Sequence, residues 1–196
     1  MDKQTISSFQ AFVMQNTFIT EEDCKLFEPH LKVKKVKAKE NILMEGSICK
    51  ELAYVVKGAF RTFYLIEGKE INTTFFFEND FVFEYDSFLQ NKVSKYYIQC
   101  VEDAEIITFS QEVLLENYNK SKNWERFGRI MAEACYKKIN DRMESFLFLN
   151  GEQRYRLLVK NEPHILDRVP LYHIASYLGL ERESLSRLRK KTTATK

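Results

Sequence analysis

The sequence predicts an α+β protein with an N-terminal antiparallel β jelly roll, one long helix and a C-terminal helix-turn-helix. Three observations predict it. Between Leu31 and Phe109, short β-branched and aromatic runs are punctuated by Gly, Asn and Asp at near-regular intervals. Between Lys122 and Phe148, apolar residues recur at three- and four-residue steps. Between Leu171 and Lys190, a small residue, a glycine and five apolar residues stand where two helices crossing at close range need them.

Taken in order, the chain opens with two short helices. Ile6, Phe9, Phe12 and Val13 share one helical face. Thr20 then precedes Glu21, Glu22 and Asp23, an N-cap followed by acids where the helix dipole favours them, and Pro29 ends that helix. The predicted strands are Leu31 to Val36, Asn41 to Met44, Leu52 to Val56, Phe60 to Ile66, Ile71 to Phe77, Tyr96 to Val101 and Glu105 to Phe109. Breaks are expected at Gly46, Lys57-Gly58, Glu67-Gly68-Lys69 and Glu78-Asn79-Asp80. A short helix over Glu112 to Asn117 leads into the long one. Its stripe of Trp124, Phe127, Met131, Ala134 or Cys135, Ile139, Met143 and Phe146 exceeds what one small domain can cover. Part is expected on the barrel and the remainder against a second copy across a dimer axis. Helices over Gln153–Lys160, Pro170–Leu178 and from Glu181 onward complete the chain. The units are residues 1–120, 121–149 and 150–196.

Hydrophobic residues at 44% and charged residues at 30% fit a globular chain, not a disordered one. No apolar run approaches the roughly 18 to 20 residues of a membrane span, and the first residues lack a signal-peptide pattern, so a cytoplasmic location is expected. The four cysteines, at 24, 49, 100 and 135, have no metal-ligand spacing and read as free thiols. No metal, cofactor or catalytic site is predicted. A metal enzyme of the cupin type needs histidines inside the barrel strands, and His30, His164 and His173 all lie outside them, as surface or packed residues. The same count argues against a haem sensor.

The formal charge of +2 hides an asymmetry. Residues 151–196 carry ten Lys/Arg against five Asp/Glu, hence +5, which leaves −3 on the first 150. A basic C-terminal unit on an acidic body is the electrostatic shape of a nucleic-acid reader. Ala175 is the small residue where the second helix crosses, and Gly179 is the turn that asks for a left-handed backbone. Ile174, Leu178, Leu180, Leu185 and Leu188 point inward. Arg182, Glu183, Ser186, Arg187 and Lys190 then remain exposed. Arg182 and Arg187 suit guanine edges and Glu183 suits cytosine N4, which makes these three the base-reading candidates. Ser184, Ser186, Lys190 and Lys191 suit phosphates, which position without reading sequence.

Several stretches, taken together, resemble the Crp/Fnr family of bacterial transcription regulators along essentially the whole chain. They are Asn41-Ile-Leu-Met-Glu-Gly46, Ala53-Tyr-Val-Val-Lys-Gly58, Glu67-Gly-Lys-Glu70, Glu78-Asn-Asp-Phe81 and Ile174-Ala-Ser-Tyr-Leu-Gly179. The resemblance implies an eight-stranded cyclic-nucleotide-binding-like jelly roll, a homodimer along residues 122–148 and a winged-helix-type helix-turn-helix. It implies double-stranded DNA and RNA polymerase as partners, and no membrane. It also sets a test for cyclic AMP. Members that bind it carry a Gly-Glu pair, then an Arg and small residues that meet the phosphate. Here Phe83 replaces the Gly, Glu84 stands at the Glu, Ser94 stands where the Arg should be with Lys95 beside it, and Tyr96 and Tyr97 follow. The pocket is therefore read as degenerate, without a response to cyclic AMP. The competing reading is a jelly-roll interaction or ligand-binding module with secondary DNA contact.

Overall fold

The computed structural model describes residues 2–193. Two helices lead, α1 (Asp2–Asn16) and α2 (Glu21–Phe27), the second followed by a 3-10 turn over Glu28–His30 that contains Pro29. A capping box starts α2: the Thr20 hydroxyl accepts from the Asp23 N–H at 3.2 Å, and the Asp23 carboxylate accepts from the Thr20 N–H at 2.9 Å.

Six strands follow: β1 (Lys32–Val36), β2 (Asn41–Leu43), β3 (Glu51–Ile66), β4 (Lys69–Phe76), β5 (Phe81–Val82) and β6 (Tyr97–Ser110). They pair antiparallel in the order β1-β6-β3-β4, with β2 also on β6 and β5 also on β3. The helix α3 (Tyr85–Gln90) interrupts them before β6.

The count differs from eight because two expected turns are bulges. Leu52–Val56 and Phe60–Ile66 form one strand, β3, and Tyr96–Val101 and Glu105–Phe109 merge into β6. Register slips between Val55 and Lys57, Lys57 and Ala59, and Ala59 and Phe60, so both strands bend together without breaking. Gly58 makes the bend possible. It sits at φ 104°, and a Cβ there would lie 2.5 Å from that of Ala104. Two long bent strands thus roll the sheet around one core that includes Phe60, Ile98 and Ile106.

The helix α4 (Gln111–Lys120) leads into α5 (Lys122–Phe148). The start of α5 is anchored on the barrel's end: Trp124 stacks on Phe27 at 4.2 Å, and Asn123 Nδ2 donates to Asp23 at 2.8 Å. Beyond it lie α6 (Gly151–Asn161), α7 (Ile165–Arg168), α8 (Leu171–Leu178) and α9 (Arg182–Thr193). No strand follows Ser110 among the described residues, where the C-terminal unit is helical throughout. The C-terminal core of Tyr155, Leu158, Ile174, Leu178 and Leu185 continues into Ala59, Phe75 and Phe77 of the barrel.

Candidate functional site

The helix-turn-helix is built as its local sequence requires. Ala175 is buried under the crossing of α8 and α9. Gly179 takes φ 63° and ψ 40°, and its N–H donates to Ser176 O at 3.1 Å, while the Leu180 N–H donates to Ala175 O at 2.9 Å. Phe146 fills the space beside that glycine: a Cβ at Gly179 would lie 2.9 Å from its ring. Arg154 closes the end of α8 by donating from Nε to Leu178 O at 3.0 Å. Leu185 is fully buried and Leu188 half-buried against the same core.

With those residues inward, α9 turns a polar edge to solvent. Arg182, Glu183, Arg187, Lys190 and Lys191 are exposed, and Ser184 and Ser186 are half-buried beside them. Glu152 of α6 lies 3.9 Å from the Lys191 ammonium. Around Arg182, Ser186 and Arg187 the helix presents donors, and Glu183 an acceptor, along that edge.

Sequence reasoning missed how this unit is seated. Its first helix, α8, lies on β4 through a polar cluster. Arg61 is 2% exposed, and its Nη1 donates to Glu70 Oε2 at 2.6 Å and Asn72 Oδ1 at 3.1 Å, and lies 2.9 Å from His173 Nδ1. The Asn72 N–H donates to Ser176 Oγ at 3.0 Å, and that hydroxyl donates to Glu70 O at 2.6 Å. Burial, and then the Arg61 charge, push the His173 imidazole down to about 4, against the smaller opposing pull of Glu70. His173 is therefore neutral at pH 7, as its contact with a guanidinium demands.

A second clasp joins α7 to the barrel. Arg168 makes a two-pronged contact with Glu78 at 2.6 and 2.8 Å, and its Nε donates to Glu102 at 3.0 Å. The Arg168 bonds, helped by the Gly58 N–H, hold the Glu78 carboxyl down at about 2. The one signal available beforehand was an Arg and an Asn inside otherwise apolar strand runs.

The residues expected to form the effector pocket separate. Phe83 and Glu84 line a cavity of about 350 Å³ between the sheet and α5; Ser94 and Lys95 do not. Glu84 is the N-cap of α3, its carboxylate accepting from the Asp86 and Ser87 N–H groups at 3.1 and 2.8 Å. Phe83 packs on Phe88 at 5.3 Å. Ser94 is buried in its own turn, accepting from the Tyr96 N–H at 2.9 Å, and Lys95 is exposed. Of the two tyrosines, Tyr96 lines the cavity while Tyr97 stacks on Phe63 at 5.0 Å. A cyclic nucleotide needs a guanidinium at the phosphate and a free carboxylate at the ribose. These residues supply neither, and they do not fit the group.

Cys24, Cys49 and Cys100 are buried free thiols pushed up, mainly by burial, to about 11, 11 and 12, so they are inert filler. No cluster of His, Cys, Asp and Glu among the described residues has metal-binding geometry, and no helix among them is long and apolar enough to cross a membrane.

Residues 33–121 match the family described as the cyclic nucleotide-binding domain. No match is found among curated protein sequences. FixK2 from Bradyrhizobium japonicum is similar in structure, with a TM-score of 0.75 and 16% identity over 84% of this chain and 85% of that one. A protein from Eubacterium rectale assigned to the crp/fnr family of transcriptional regulators gives 0.70 and 18%, over 90% and 84%. The c-di-GMP responsive global regulator CLP of Xanthomonas campestris gives 0.68 and 17%, over 90% and 93%. Residues 33–121 of the barrel thus match the cyclic nucleotide-binding domain family, and the chain as a whole shares its fold with these solved structures.

Proposed function

We propose that this protein is a dimeric, sequence-specific DNA-binding transcription regulator of the Crp/Fnr type that does not respond to cyclic AMP. The observation that carries this reading is α9: a helix seated by a left-handed glycine turn, with Arg182, Glu183 and Arg187 on its exposed edge. Ser184, Ser186, Lys190 and Lys191 flank that edge as phosphate contacts. The basic charge of the C-terminal unit supports the same partner, duplex DNA.

Dimerisation supplies the second half-site. The exposed face of α5 carries Tyr136, Ile139 and Met143 at three- and four-residue steps, the spacing of a two-stranded coiled-coil seam. A twofold axis along that seam sets two α9 helices against half-sites about one helical turn apart. RNA polymerase is the further partner this class of regulator engages, and the compartment is the cytoplasm.

The test is fluorescence anisotropy on duplexes recovered by selection from random DNA, at two salt concentrations. A regulator binds its selected site at least about a thousandfold more tightly than random duplex at the same salt. An interaction module with secondary DNA contact shows only salt-sensitive, sequence-blind binding. Millimolar cyclic AMP is expected to leave the unfolding midpoint and the DNA affinity unchanged. Ligand at a hundred times its Kd would add about 2.7 kcal/mol of stability and be plain in a thermal melt.

A further inference from the structure

The cavity between the sheet and α5 has a chemistry of its own. Its wall on the sheet side is aromatic, formed by Phe76, Phe81, Phe83 and Tyr96. Its other side belongs to the helices, where Lys138 and Arg142 of α5 reach it. Neither cation is paired with a carboxylate among the described residues. Lys138 Nζ makes one long contact, 3.4 Å to Phe75 O, and lies 5.1 Å from the Phe76 ring centroid. Arg142 lies over the Tyr177 ring at 4.1 Å and donates from Nη2 to the carbonyls of Asn72 and Tyr177. Glu84, the acid that lines the cavity, is occupied as the cap of α3.

The positive charge of the cavity is therefore on α5, and the sheet offers it rings, with Thr73 and Thr74 at its edge.

We infer that this cavity is a binding site for an aromatic or apolar organic anion whose acid group faces Lys138 and Arg142 and whose rings lie on the Phe76–Phe83–Tyr96 wall. A volume of about 350 Å³ is at the small end of ordinary ligand sites. Arg142 also holds the Tyr177 carbonyl of α8, so an acid that draws its guanidinium away loosens the seat of the helix-turn-helix. That consequence for DNA rests on the DNA-binding reading, whereas occupancy of the cavity does not.

The experiment uses two probes on the full chain: 1-anilinonaphthalene-8-sulfonate and its uncharged analogue N-phenyl-1-naphthylamine, which has the same rings and N–H but no sulfonate. The variant is Lys138→Gln, at an exposed position where the fold is unaffected, checked by circular dichroism. The expected result is saturable binding of the sulfonate at one per chain, weakened about tenfold or more by Lys138→Gln. The uncharged analogue should bind wild type more weakly and be indifferent to the variant. Absence of saturable sulfonate binding, or equal affinity in wild type and Lys138→Gln, overturns the proposal. DNA affinity measured with and without the sulfonate reads the coupling separately: a protein that binds the probe but no specific DNA keeps the site and refutes only the regulator.

Discussion

The two halves of α5 carry one apolar period into opposite surroundings. In the first half Trp124 and Phe127 are 1% and 3% exposed, and Met131 joins the barrel core. In the second half Tyr136, Ile139 and Met143 are 73%, 67% and 53% exposed. A helical period records that a face is covered, without recording by what. The first half is covered within the chain, and the second matches the seam of a helix pair. Met131 therefore belongs to the barrel, and the exposed face starts further along than the continuous stripe suggests.

The sharpest break in this comparison comes from truncating each half. Trp124→Ala removes a fully buried indole and should cost about 3–5 kcal/mol, read as a lower urea midpoint. Ile139→Glu with Met143→Glu should leave the circular dichroism spectrum intact and turn a dimer into a monomer by sedimentation. A double variant that stays dimeric places the seam elsewhere.

The seat of the C-terminal unit should respond to pH through His173. The groups facing it are Arg61 of β3, Glu70 and Asn72 of β4, and the Tyr172 ring. Its docked value of about 4 lies below the ordinary 6.5, so the docked state binds fewer protons than the undocked one between those values. Docking is then fully stable above pH 6.5 and weakens as pH falls toward 4, by at most about 3 kcal/mol. Urea unfolding of wild type and His173→Gln at pH 7, 5.5 and 4.5 checks this. The difference between the two proteins should change with pH, and a constant difference rejects it. Arg168→Ala should be milder, about 1 kcal/mol, because its pairs with Glu78 and Glu102 stay partly open to water. Hydrogen exchange should show the loss in α7 and α8 and not in β3 or β6.

What the sequence made legible was local. The N-cap at Thr20, the α5 boundaries and the Ala175–Gly179 turn all depend on residues within a few positions of one another. The bend at Gly58 reads from the sequence as a turn, because a glycine in a strand marks a turn or a bulge equally well until its partner strand is known. Contacts between distant residues were invisible: Arg61 and His173 are 112 positions apart, and Arg168 and Glu78 are 90. The pocket was half legible for the same reason. Phe83 and Glu84 line it, but Lys138 and Arg142, which give it its charge, come from another element.

Base reading by α9 is tested by a binding-site selection on wild type, Arg187→Ala and Lys190→Ala at two salt concentrations. Arg187→Ala should cost about 1–3 kcal/mol and relax preference at individual base pairs, while Lys190→Ala should weaken all sequences alike and lower the salt slope by about 1. An Arg187→Ala protein that loses affinity yet keeps the wild-type sequence preference would refute base reading and leave α9 as a backbone contact alone.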